Sequence, residues 1–111
     1  MEITETMQGK IKILTLDGRL DSLSSGLLDT KLQEITESNA AKIIVDFSNL
    51  SFISSSGLRV LLSAGKKIKS TNGKLALSSL QEHVKEVFDV AGFTMLFSIF
   101  ISLEEAIKSL S

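Results

Sequence analysis

Three serines and a glycine, Ser54-Ser55-Ser56-Gly57, stand between a β-branched apolar run and a stretch with helical apolar spacing. Upstream, Ile43-Ile44-Val45-Asp46-Phe47 reads as a buried strand with Asp46 at its end and a polar turn after it. Downstream, Leu58, Leu61, Leu62, Gly65 and Ile68 recur as one helix face. The hydroxyls therefore sit at a helix N-terminus, where backbone N–H groups lack partners and carry partial positive charge. Such a place suits a phosphate, and Gly57 puts no side chain in its way. The local chemistry leaves three readings open: a site for a phosphorylated ligand, a serine that is itself phosphorylated, or a plain serine N-cap.

Other chemistries lack their parts. His83 is the single histidine and cysteine is absent, so a zinc site is strongly disfavoured, and disulfides and thiolate metal sites are excluded. The serine cluster lacks the preceding glycine of a hydrolase nucleophile elbow, and no Walker-type phosphate loop is present. The expectation is a protein that binds rather than catalyses, with no cofactor.

The residues Asp46-Phe47-Ser48-Asn49-Leu50-Ser51-Phe52-Ile53, followed by Ser54-Ser55-Ser56-Gly57-Leu58, resemble the signature of STAS domains, specifically of bacterial anti-sigma factor antagonists. The resemblance covers nearly all of the chain. It implies a single α/β domain over residues 1–111, with a four- to five-stranded, mixed, largely parallel sheet and four helices wound as a β-α superhelix. It also implies a serine, two residues before the glycine, that a partner kinase phosphorylates. That residue is Ser55, with Ser56 as the fallback. The family often carries an aspartate just before this serine, where the present chain has Ser54. The partner-contact set implied is Asp21, Asp46, Ser54, Ser55, Ser56, Gly57 and Arg59, with capping or turn roles as the alternatives for Asp21 and Asp46. The partners implied are an anti-sigma factor that is also a serine kinase, and a phosphoserine phosphatase. Two rival roles are a constitutive STAS scaffold in a larger signalling or lipid-transport assembly, and direct binding of a nucleotide or anion at the helix start.

Composition bounds the remaining choices. With 111 residues, 43% hydrophobic and 23% charged, the chain can bury one core and is not disordered. Twelve basic residues against thirteen acidic ones leave a net charge of −1, and the only aromatics are six Phe. Nucleic-acid binding is therefore disfavoured. The start, Met1-Glu2-Ile3-Thr4-Glu5-Thr6, lacks a signal-peptide pattern and no apolar run spans a membrane, so the cytoplasm is the expected compartment.

The elements that must position the serines follow in order. Ile3–Met7 and Ile11–Leu16 read as a hairpin around Gln8-Gly9-Lys10. Asp17-Gly18-Arg19-Leu20-Asp21 reads as a break. Asp21 or Ser22 would cap a first helix burying Leu20, Leu23, Leu27, Leu28, Leu32 and Ile35 and ending in Ser38-Asn39-Ala40. The serine helix is expected to reach about Ser70, closed by Thr71-Asn72-Gly73. Its Lys66, Lys67 and Lys69 read as solvated cations suited to the helix's negative end, with a binding patch as the alternative. Lys74–Ser78 reads as a strand. Ser79-Leu80-Gln81-Glu82 reads as a capping box for a third helix that buries Val84, Val87, Phe88 and Ala91 and ends at Gly92. Leu96–Ile101 reads as a last strand, and Ser102-Leu103-Glu104-Glu105 as a capping box for a final helix with Ala106, Ile107 and Leu110 inward. Phe93, Met95, Phe97 and Phe100 supply more apolar bulk than that last strand needs.

Overall fold

Alternating apolar runs and amphipathic stretches fold into one five-stranded sheet in a computed structural model that describes residues 1–38 and 41–111. The chain order is β1 (Glu2–Gln8), β2 (Ile11–Leu20), α1 (Ser25–Glu37), β3 (Lys42–Ile53), α2 (Ser55–Ser70), β4 (Lys74–Ser78), α3 (Glu82–Val90), β5 (Ser98–Phe100) and α4 (Leu103–Leu110), with a 3₁₀ turn at Thr94–Leu96 before β5. Strands lie in the sheet in chain order. Only β1, joined to β2 by the Gly9-Lys10 turn, is antiparallel to its neighbour. Every later pair is parallel and needs a helical crossover, which α1, α2 and α3 supply. The sequence-based expectation of a mixed, largely parallel sheet with four helices is met.

Period-two alternation divides the sheet into two apolar faces. Leu14, Leu16, Val45, Phe47 and Leu77 point into the larger cluster, where α1 brings Leu28, Leu32 and Ile35 and α2 brings Leu58, Leu61 and Ile68. Val84 and Phe88 of α3 complete it. Ile11, Ile13, Ile44 and Ala76 face the other way, onto Ala106 and Leu110 of α4. Phe88 is fully buried and meets Phe47 and Phe97 edge-on, with ring centroids 6.0 and 5.8 Å apart. No helix among the described residues is long and apolar enough to cross a membrane.

Several local expectations are corrected. The break at Asp17–Asp21 does not exist, because β2 runs through it to Leu20. Its partner β3 likewise continues past Asp46 to Ile53, and the polar Ser48-Asn49 pair lies inside that strand, exposed. The two strands bend together: Thr15 pairs with Asp46 but Asp17 with Asn49, and Gly18 pairs with Leu50 but Arg19 with Phe52. Each step leaves an extra residue on β3, a bulge that tightens the twist. At α1, helical conformation starts only at Ser25, so Leu23 (92% exposed) and Leu27 (53%) leave the core, and Leu20 is buried from the strand instead. The expected end of α1 at Ser38 is met, while Asn39 and Ala40 lie outside the described residues.

At α3 the Ser79 box fails. Ser79 has φ +61°, the N-cap is Gln81, and Val87 and Ala91 face solvent. The final strand is shorter than expected because Thr94–Leu96 coils first. Other local signals hold. Ser102 caps α4 by accepting from Glu105 N. Gly92, at φ +76°, ends α3 with Phe93 N donating to Phe88 O and its own N to Asp89 O. Asn72 takes the equivalent left-handed place after α2.

Candidate functional site

The serine turn is held by strand β2 as well as by its own helix. Ser54, extended at φ −93° and ψ 170°, donates its backbone N–H to Leu20 O at 2.8 Å. Its Oγ accepts from Gly57 N at 3.2 Å, the N-cap bond, and lies 3.0 Å from Ser56 Oγ. Gly57 is buried against the strand ends: a Cβ there would meet Leu20 Cγ at 2.7 Å and Ile53 Cγ1 at 3.2 Å. The glycine is therefore required for close approach, and it lets the helix start abut the ends of β2 and β3.

These contacts sort the three hydroxyls. Ser54 and Ser56 are half-buried and engage each other. Ser55 is the first residue of α2, exposed, and no side-chain hydrogen bond ties it to any described residue. A group added to its Oγ would meet solvent and the positive end of a sixteen-residue helix. Arg59, one turn further on, is also exposed and makes no ion pair among the described residues.

Asp21 follows Leu20 directly and so lies beside the serine turn. Its Oδ1 accepts from Leu23 N at 3.1 Å and Ser24 N at 3.0 Å. Ser24 Oγ accepts from Asp21 N at 2.9 Å and can donate back to Oδ1 or to Arg19 O. The Ser24 N–H, then the Ser24 hydroxyl, hold the Asp21 carboxyl below its ordinary value of 3.8. Asp21 thus closes the turn that leads into α1, whose N-cap is Ser24 and not Asp21 or Ser22 as the sequence suggested, while staying at the surface next to the serines.

Asp46 is elsewhere. It is 7% exposed, opposite Ser78 on β4, and its oxygens take Ser48 N, Ser48 Oγ and Ser78 Oγ at 3.2–3.4 Å. The seven residues from Asp46 to Ile53 put it roughly 20 Å along the strand from the serine turn. The expectation that Asp46 ends the strand on the docking edge is corrected: bulged pairing with β2 carries β3 onward, and the buried carboxylate binds the bulge residue Ser48 and the neighbouring strand's Ser78.

Several supporting residues escaped the sequence. Arg19 stacks its guanidinium 4.2 Å from the Phe52 ring centroid. Gln81 Nε2 donates to Ser48 O at 3.0 Å, and His83 Nε2, protonated in this tautomer, donates to Ser51 O at 2.5 Å. Both brace the β3 extension from α3. Leu23 projects beside Asp21 at the same end of the domain, 92% exposed. No periodicity signals Arg19, Gln81 or His83, because each acts through contacts between remote segments, and the exposure of Leu23 follows from the late start of α1.

Comparison with known proteins agrees with this architecture. The STAS domain family model matches residues 2–106. BtrV of Bordetella bronchiseptica, named as a candidate anti-sigma factor antagonist, is 32% identical over 106 residues, 96% of this chain and 91% of its own. The anti-sigma F factor antagonist of Paenibacillus polymyxa is 28% identical, over 90% of this chain and 86% of its own. Among solved structures, SpoIIAA superimposes in its unphosphorylated form with a TM-score of 0.85 at 24% identity, covering 97% of this chain and 95% of its own. The phosphorylated form of Bacillus SpoIIAA superimposes with a TM-score of 0.78 at 23% identity, covering 99% of this chain and all of its own. With its matched sequence, its five-stranded sheet and its strand–serine–helix turn, this chain belongs to the STAS domain family.

Proposed function

We propose that the chain is a cytoplasmic anti-sigma factor antagonist switched by phosphorylation of Ser55. The observation that carries this reading is the separation of the three hydroxyls: Ser54 and Ser56 hold the helix start, whereas Ser55 stands exposed on its first turn. The names of the curated relatives, and the existence of SpoIIAA in two phosphorylation states, support the same role.

In the unphosphorylated state the end of the domain bearing Asp21, Leu23, Ser55, Ser56 and Arg59 docks on an anti-sigma factor that is also a serine kinase, and the sigma factor is released. The kinase then transfers the γ-phosphoryl of its bound ATP. The bond from the γ-phosphorus to the bridging oxygen breaks, a bond to Ser55 Oγ forms, the hydroxyl proton passes to a base on the kinase, and ADP leaves. Phosphoserine brings about −1.5 to −2 charges, which the α2 N-terminus tolerates but an apposed surface does not. A penalty of roughly 3–4 kcal/mol weakens docking a few hundred-fold. The fold need not change. A phosphatase restores the hydroxyl.

The test is intact-mass analysis of protein isolated with its co-purifying partners, followed by calorimetry of the partner against Ser55→Ala and Ser55→Asp. Phosphate on Ser55, retained binding by Ser55→Ala and weakened binding by Ser55→Asp are expected. Absence of phosphate from Ser54, Ser55 and Ser56 alike, together with normal binding by Ser55→Asp, rejects the switch and leaves a constitutive scaffold.

A further inference from the structure

A second site lies toward the other end of α2. A cavity of about 770 Å³ opens between the second half of that helix, the start of β4, the 3₁₀ turn before β5 and the C-terminus of α4. Its size is within the range of small-molecule sites. Leu62, Leu75, Phe97 and Phe100 line it with apolar surface, and Lys66, Lys69 and Lys74 supply its charge. No carboxylate is among the lining residues, and none of the three lysines forms an ion pair among the described residues. Three cations without a lining carboxylate thus share one cavity in a chain whose net charge is −1.

The negative end of α2 accounts for a lysine in the last turn. It does not account for Lys74, which β4 brings to the same cavity from another element. Gly65 gives an independent indication. It occupies a mid-helix position, where glycine is unfavourable, yet a Cβ there would meet Phe97 and Leu75 at ordinary contact distances of 3.5 and 3.6 Å. Packing does not demand a glycine at 65; its effect is to keep the cavity wide. Leu96, 60% exposed, adds apolar surface at the rim.

We infer that this cavity binds a single-chain anionic amphiphile, its tail against the leucine and phenylalanine wall and its head group among the three lysines. A fatty-acid carboxylate and a lysophospholipid phosphate are two sources of that chemistry. The inference does not rest on the Ser55 switch: Lys66 is eleven residues along the helix from Ser55, about 16 Å.

The test uses the full chain and the fluorescent fatty acid dansylaminoundecanoic acid. Saturable fluorescence enhancement is expected, reversed by dodecanoate or by lysophosphatidic acid, and the stronger competitor identifies the source. Dodecanol, which lacks the charge, should compete about tenfold more weakly. The triple variant Lys66→Gln/Lys69→Gln/Lys74→Gln, altered only at exposed positions, should lose affinity about tenfold or more with its circular dichroism unchanged. Gly65→Leu should block the probe by filling the cavity. Ser55→Asp should bind the probe as wild type does, which separates this site from the proposed switch. Absence of saturable binding, full affinity in the triple lysine variant, or displacement by ATP as effective as by dodecanoate overturns the inference.

Discussion

Gly57 and Leu20 touch so closely that the helix start and the end of β2 form one packed unit. A Cβ on Gly57 would lie 2.7 Å from Leu20 Cγ and 2.9 Å from its Cδ2, and Leu20 is fully buried and unable to swing away. Gly57→Ala therefore forces overpacking and should cost about 1–3 kcal/mol. The check is the urea midpoint, with faster amide exchange expected first at the Ser54 N–H, whose bond to Leu20 O the same displacement lengthens. An unchanged midpoint would show that the helix start moves freely from the strand.

Ser54 should behave as a cap and not as a phosphate acceptor. Ser54→Ala removes the bond to Gly57 N and the partner of Ser56 Oγ, with an expected loss of about 1 kcal/mol. Ser54→Asp keeps an acceptor and places negative charge at the helix N-terminus, so it should recover most of that loss. Thermal unfolding of the two variants gives the order; equal loss in both would remove the capping role.

Phe88 joins α3 to the sheet through Phe47 and to the β5 segment through Phe97. Phe88→Ala should destabilise by about 3–5 kcal/mol, a large part of what a small domain has. Denaturant unfolding measures this, and Phe88→Leu should cost distinctly less because more of the volume is retained.

Asp21 predicts an acid dependence. Its carboxyl is held below 3.8 in the folded chain by the Ser24 N–H and hydroxyl, so its contribution is fully present above pH 3.8. The contribution is lost as pH falls below 3.8 through the lower folded value. Asp21→Asn should be less stable than wild type near neutrality, with the difference shrinking in acid. Urea midpoints over a pH series check the sign, and a pH-independent difference would show that the charge is not involved.

The expected pattern of strands and helices holds where short-range chemistry is enough. Ser102 and Glu105 form their cap within one turn, and the α3 terminus at Gly92 needs only a residue free to adopt positive φ. The Ser54–Gly57 cap is legible for the same reason. Ser79-Leu80-Gln81-Glu82 carries the same kind of signal, yet the cap moves two residues on, to Gln81. There Gln81 and His83 reach across to Ser48 O and Ser51 O on β3, contacts that local propensity cannot contain.

What the sequence by itself determined is the alternation of elements, the two faces of the sheet and the position of a serine-rich helix start, because these follow from the periods of strand and helix and from local capping. Tertiary structure decided how far β2 and β3 extend, since the polar Ser48-Asn49 segment continues as strand through a bulge at Ser48 and the pairing of Asn49 with Asp17. It also decided that Asp46 is buried, that Leu23 is exposed, and that Ser55 rather than its two neighbours presents a free hydroxyl. Those outcomes depend on which distant backbone groups and side chains arrive beside each residue, and the linear pattern does not specify that meeting.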